Sequence, residues 1–249
     1  MSRGRARIVA ALAVAGCATL VAGCMTGGSE VALADLITET RTVELDGARS
    51  VDVELDLGVG KFTVSGGADA LMDATFRYNV PEWQPVIDYA VEGDAGRLSV
   101  SQPSVRGTPN KARNEWEIAL ASDVPIALSI DMGVGNASLD LAGMELSRVD
   151  IEQGVGNAMI DLSGSWKSDA SVTIDGGVGN TELVLPGTVG VRLVCHTGIG
   201  RTSVEGLTKK GGEYTNDAYG EADVNLDITI NAGVGNVDVS VSGEESSSV

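Results

Sequence analysis

The chain has 249 residues, with 17 Lys and Arg against 35 Asp and Glu, and a formal charge of −18. This balance argues against nucleic acid as a partner, since phosphate recognition needs clustered cations, and the single histidine, His196, rules out His-rich metal sites. With 33 glycines and only 4% aromatics, the composition describes a β protein that turns often and fills its core with small aliphatic side chains.

In chain order, Arg3, Arg5 and Arg7 followed by the apolar run from Ile8 to Ala22 read as a targeting segment rather than as fold. The run is too short and too small-sided for a membrane span. It ends in Val21-Ala22-Gly23-Cys24, which resembles the lipobox of bacterial lipoproteins, in which a branched and two small residues precede a cysteine that is lipidated and becomes the new N-terminus. Residues 1–23 are therefore expected to be a lipoprotein signal peptide, and Cys24 the lipid attachment site, with palmitate among its acyl chains. The earlier Val14-Ala15-Gly16-Cys17 would leave apolar Ala18 to Ala22 on the mature chain. Two or more acyl chains hold a protein stably to a bilayer where one is marginal, so the expected location is extracytoplasmic, lipid-anchored to the bacterial cell membrane. Cys195 is then left with no partner for an intrachain disulfide.

Residues 24–39 read as a flexible tether and 40–125 as an N-terminal β region containing the first copy of a repeat. Its stretch from Ala68 to Pro125 holds five of the six prolines along with Trp83 and Trp116, a composition unlike the rest. Short strands are predicted at Leu71 to Tyr78, Val86 to Val91, Arg97 to Val100 and Trp116 to Leu120, in a small unit packed on the first rung. Residues 126–243 form the repeat region, and 244–249 a disordered tail.

The repeat occurs six times: Gly58-Val-Gly-Lys61, Gly133-Val-Gly-Asn136, Gly154-Val-Gly-Asn157, Gly177-Val-Gly-Asn180, Gly198-Ile-Gly-Arg201 and Gly233-Val-Gly-Asn236. The even spacing of copies two to five predicts four contiguous units. Apolar residues alternate before the glycines (Leu128, Ile130, Met132, Val134) and again after them (Ala137, Leu139, Leu141), with a phase break at Gly135-Asn136 that predicts two strands joined by a sharp corner. A lone unit could not bury its apolar face, but stacked units make a continuous core. The predicted fold is all-β, a β-solenoid-like stack of short two-strand rungs, with a small N-terminal β unit inserted after the first rung. Ile130, Ile151, Ile174, Cys195 and Ile230 should take equivalent inward sites. Lys209 to Gly220 reads as a loop or hairpin before the last rung.

Two positions per unit invite a functional reading. The residue two before the first glycine is Asp56, Asp131, Glu152, Asp175, His196 and Asn231, an outward ladder in which His196 is expected one rung beyond Asp175, as a charge-relieving pair. Asn136, Asn157, Asn180 and Asn236 are expected at the corners with laddered amides. Gly58-Val-Gly60 lacks the third glycine of a dinucleotide fingerprint. Nucleophile-elbow, Ser-x-x-Lys and His-Glu-x-x-His patterns are absent, so no enzyme, catalytic residue, cofactor or metal site is predicted.

These rungs, with Leu57 to Ala70, Tyr78-Asn-Val-Pro-Glu-Trp83 and Asn216-Asp-Ala-Tyr-Gly220, resemble the toast-rack family over roughly residues 40–243. The resemblance implies stacked β-rungs and kinship with extracytoplasmic domains of envelope-stress and cell-wall-antibiotic-response proteins, and it brings no catalytic residues. The expected role is non-enzymatic envelope binding or structure, adhesin-like. The alternative is an accessory of envelope-stress or cell-wall-antibiotic sensing. Expected partners are the membrane through the lipid anchor, and an envelope protein or cell-wall component.

Overall fold

The computed structural model describes residues 8–11, 32–105 and 107–243, so Cys24 and the tail 244–249 lie outside the described residues. The first strand, β1 (Ile8–Ala11), falls in the segment read as signal and pairs antiparallel with β2 (Ile37–Val43), which opens inside the segment read as tether. Next comes β3 (Ser50–Gly66), a 17-residue strand that carries the first repeat copy through its corner. The N-terminal unit supplies β4 (Met72–Tyr78), β5 (Val86–Glu92), β6 (Ala95–Ser101) and β7 (Asn114–Leu120). Strand β6 pairs with the first arm of β3 and β7 with its second arm, both in parallel, so this unit forms a cap on the first rung.

The remaining rungs are β8 (Ile126–Asp140), β9 (Leu146–Asp161), β10 (Ala170–Val178) with β11 (Thr181–Leu185), β12 (Gly190–Ile199) with β13 (Thr202–Val204) and, after the hairpin β14 (Thr208–Lys210) and β15 (Glu213–Thr215), β16 (Asn225–Val234) with β17 (Val237–Val241). All stack in parallel and in register through the corner. Leu55, Ile130, Ile151, Ile174, Ile230 and Cys195 are mutual partners on one arm, and Val64, Leu139, Ile160, Leu183, Val239 and Val204 on the other. Their side chains meet in a single core. Each rung hydrogen-bonds both neighbours while its inward aliphatic side chains lie on the next layer, so stability is a nearest-neighbour property.

Two expectations need correction. Copies two to five are not contiguous: β16–β17, the sixth copy, lies between the fourth (β10–β11) and the fifth (β12–β13). The corner amides give the reason. Asn157 donates its backbone N–H to Asn136 Oδ1 at 3.1 Å, Asn180 to Asn157 Oδ1 at 3.1 Å, Asn236 to Asn180 Oδ1 at 3.0 Å, and Arg201 to Asn236 Oδ1 at 3.2 Å. Arg201 has no amide oxygen to offer a further rung, so its copy ends the ladder. Secondly, Val134 and its equivalents point outward, and the inward sequence passes from Met132 to Ala137.

That outward turn follows from how closely the corners stack. A Cβ on the second glycine of a rung would lie 1.9 Å from the preceding rung's carbonyl oxygen at Gly135 and 1.5 Å at Gly156, and on the first glycine 2.5 Å at Gly133 and 2.3 Å at Gly154. No side chain fits between rungs there, which leaves the valine between them only the outer surface. Gly156→Ala should accordingly lower the thermal midpoint by about 10 °C or abolish folding, since such an overlap costs at least about 3 kcal/mol. Gly212→Ala, where a new Cβ would meet open space, should leave the melt unchanged. Equal circular dichroism melts for the two variants would contradict the stacking.

Candidate functional site

The corners line up into a surface with three parallel ladders. At its crest Val59, Val134, Val155, Val178, Val234 and Ile199 are partners on successive rungs. The four interior valines are 44–50% exposed. Five steps of about 4.8 Å make this ridge roughly 24 Å long. A row of large apolar side chains kept half in water along one line differs from scattered surface hydrophobics, which need no explanation.

On one flank runs the asparagine ladder, in which side-chain amides also bond each other, Asn157 Nδ2 to Asn136 Oδ1 and Asn180 Nδ2 to Asn157 Oδ1, each at 3.2 Å. The amide ladder expected from the sequence is present, and it satisfies one backbone N–H at each of four corners, those of Asn157, Asn180, Asn236 and Arg201. On the other flank lie the carboxylates Asp56, Asp131, Glu152 and Asp175, exposed and in register. The ladder continues through Asn231 to His196, so His196 is two rungs from Asp175 and does not pair with it. Asn231 Nδ2 takes that role, donating to Asp175 Oδ1 at 2.7 Å. Among the described residues no three His, Cys, Asp or Glu side chains converge as metal ligands. Side chains one rung apart along a flat ladder share no common centre.

The two ends of the ridge differ. At the first rung Gln102 Oε1 accepts from the Val59 N–H at 3.0 Å, and Asn114 Nδ2 donates to the Val59 carbonyl at 2.8 Å. Asn114 is held in turn by Trp116 Nε1 at 2.9 Å, and Trp116 packs edge-on against Phe62 and Phe76. At the far end Ile199 is 72% exposed. The expected inward Cys195 is there, half-buried, with its sulfur 3.8 Å from the hydroxyls of Thr197 and Thr202.

Sequence reasoning missed a buried cluster in the N-terminal unit. Glu39 is 4% exposed and accepts from Tyr78 Oη at 2.6 Å, Gln84 Nε2 at 3.0 Å and Arg41 Nη2 at 2.6 Å. Burial, then the bond to Glu39, pushes the Tyr78 hydroxyl well above its ordinary range. Every group in this cluster is engaged by its neighbours, which makes it a structural clamp between β2 and β4. The alternation in Ile37 to Val43 could have flagged Glu39 as inward, since it shares parity with Val43.

These features define a class of protein: a parallel β-stack repeat whose rungs turn on glycine corners. The chain belongs to the toast-rack family, with residues 33–184 matching the N-terminal domain of toast_rack, DUF2154. Residues 133–239 also match the model for the C-terminal region of the cell wall-active antibiotics response protein LiaF. A Clostridium sporogenes ATCC 15579 protein of known structure, described as a "putative cell adhesion protein", is 32% identical, with 83% of this chain and 100% of that one covered and a TM-score of 0.77. A "putative adhesin" from Bacteroides fragilis NCTC 9343 is 15% identical over 82% of this chain and 97% of its own, with a TM-score of 0.33. No curated protein matches the chain.

The carboxylate ladder yields a pH test. Although its side chain reaches solvent, partial desolvation raises the Asp56 carboxyl above its ordinary value, with Asp131 and Glu54 adding repulsion. A carboxyl raised on folding favours the protonated form, so the folded state is relatively stabilised below the ordinary aspartate range and loses that benefit as pH rises through the folded value. Asp56→Asn should thus raise the thermal midpoint at pH 7, and the gain should vanish by about pH 3, below both the ordinary and the raised aspartate values. A variant less stable than wild type at pH 7 would contradict this sign.

Proposed function

We propose that this chain is a lipid-anchored, extracytoplasmic β-repeat protein with a non-enzymatic, adhesin-like role in envelope binding. The observation that carries the reading is the apolar ridge beside a carboxylate ladder on a stack whose backbone is locked rung to rung, a preformed surface that binds without ordering cost. Membership of the toast-rack family and the likeness to the C. sporogenes protein support it. The lipobox ending at Cys24 supports the anchor, and among the described residues no helix is long and apolar enough to cross a membrane. One observation favours a second reading: the match of residues 133–239 to the LiaF C-terminal region, which fits an accessory of cell-wall-antibiotic sensing that binds another envelope protein.

Two experiments test the parts separately. Cys24→Ser should block lipidation and signal removal, seen as unprocessed precursor lacking palmitate label, while Cys17→Ser should process normally; an unmodified mature N-terminus elsewhere would refute the anchor. Purified protein should co-sediment with envelope fractions, and Val155→Ser combined with Val178→Ser should weaken this at least tenfold with the melt retained. Undiminished sedimentation of the double variant would remove the ridge from the binding surface.

A further inference from the structure

Past the asparagine ladder, the outer face of the second arms carries two further ladders in register. One runs from Thr40 of β2 through Thr75, Glu117 and Thr63 to Ser138 and Met159, the other from Thr42 through Asp73, Ala119 and Ser65 to Asp140 and Asp161. Two residues separate them along each strand, so they stand roughly 7 Å apart. Two cavities lie along them, one of about 350 Å³ over β2, β4, β7 and β3 and one of about 220 Å³ over β8, β9 and β11. The cavities adjoin, because Thr63 and Ser65 of the first are the direct partners of Ser138 and Asp140 of the second. Together they make a trough that crosses the strands for five steps of about 4.8 Å, roughly 24 Å.

Hydroxyls and carboxylates alternate along this trough, and Met159, 56% exposed, adds an apolar patch in its second half. A hydroxyl both donates and accepts, whereas a carboxylate only accepts. Asp73 takes the Thr42 hydroxyl at 2.6 Å and Glu117 takes Arg77 Nη1 at 2.6 Å. Asp140 and Asp161 each engage one backbone N–H, two residues on, through Oδ1 alone. The lining therefore has acceptors to spare, and a ligand that matches it brings donors. Among the described residues the one cation lining either cavity, Arg41, is ion-paired with the buried Glu39. Polyanions are thus repelled by the carboxylates and find no free cation in the lining. A trough one ladder spacing wide suits a single extended chain rather than a folded domain.

We infer that this trough binds a linear, uncharged glycan strand laid across the rungs. Its hydroxyl groups donate to Glu117, Asp140 and Asp161 and exchange hydrogen bonds with Thr63, Thr75 and Ser138. Such a chain supplies donors at every sugar without a charge for the carboxylates to repel, and the C–H faces of its rings match Met159. A cationic peptide also brings donors, but it gains nothing from the threonine and serine hydroxyls that a sugar hydroxyl pairs with as readily as with a carboxylate. The inference does not rest on the valine ridge, which lies on the other side of the asparagine ladder.

The test is calorimetric titration of the full chain with linear β-linked N-acetylglucosamine oligomers. The hexamer should bind saturably and at least tenfold more tightly than the dimer, because only the longer chain spans the trough. Ser138→Arg, which puts a bulky side chain at the exposed junction of the two cavities, should weaken the hexamer at least tenfold with the melt retained. Thr63→Val combined with Thr75→Val, which keeps the volume and removes two hydroxyls, should weaken it in the same direction. Val155→Ser combined with Val178→Ser should leave hexamer binding unchanged, so that a failure of the ridge and a failure of the trough are read separately. No saturable binding, equal affinity for dimer and hexamer, indifference to Ser138→Arg, or tighter binding of hexalysine than of the hexamer would overturn the inference.

Discussion

Where the second glycine of each corner lies, the neighbouring rung's carbonyl oxygen occupies the space a Cβ would need. The rest of the molecule depends on that approach of backbone to backbone. It fixes the register of every rung to the next, because a one-residue slip would bring a valine where only hydrogen fits. It allows the strands to bend without losing the ladder, so that the aliphatic side chains of both arms share one interior. It also drives the valine between the glycines out to the surface, and thereby makes the ridge a product of the fold's tightest contact.

A stack held by nearest neighbours must be finished at both ends, and here the two ends are finished differently. The N-terminal unit behaves as a false rung: β6 and β7 continue the two arms of β3, and the side chains of Gln102 and Asn114 replace the corner backbone that a true rung would offer. The Glu39 cluster holds β2 to this cap. At the other end a three-residue strand of a hairpin covers part of one arm, and among the described residues no strand covers the corner. The stack thus has one end sealed by the N-terminal unit and one end only partly covered.

Much of this was legible in the residues. The glycine pairs located every corner, the alternation of Leu128, Ile130 and Met132 gave the inward side of each first arm, and Ala137, Leu139 and Leu141 gave the second. What failed was chain order as a guide to stack order. Even spacing placed the fifth copy beside the fourth, yet the corner residues carried the answer: the four copies ending in asparagine are interior, and those ending in Lys61 and Arg201 are the termini, because only an amide both donates to and accepts from neighbouring rungs. Val134 was misassigned because simple alternation assumes room on both faces, and at the corner there is none inside. The capping roles of Gln102, Asn114 and Glu39 had no repeat to reveal them, since each acts once, in the segment whose composition departs from the stack.

The most direct measurement concerns the placement of the sixth copy between the fourth and fifth. In a background free of native cysteine, Val178→Cys paired with Val234→Cys puts two thiols on adjacent rungs about 4.8 Å apart, within disulfide range, whereas Val178→Cys with Ile199→Cys puts them two rungs apart, at about 9.6 Å. The stack described here predicts a rapid intramolecular disulfide in the first pair and none in the second. The reverse pattern would show that copies stack in chain order and would contradict the account of the corner ladder on which it rests.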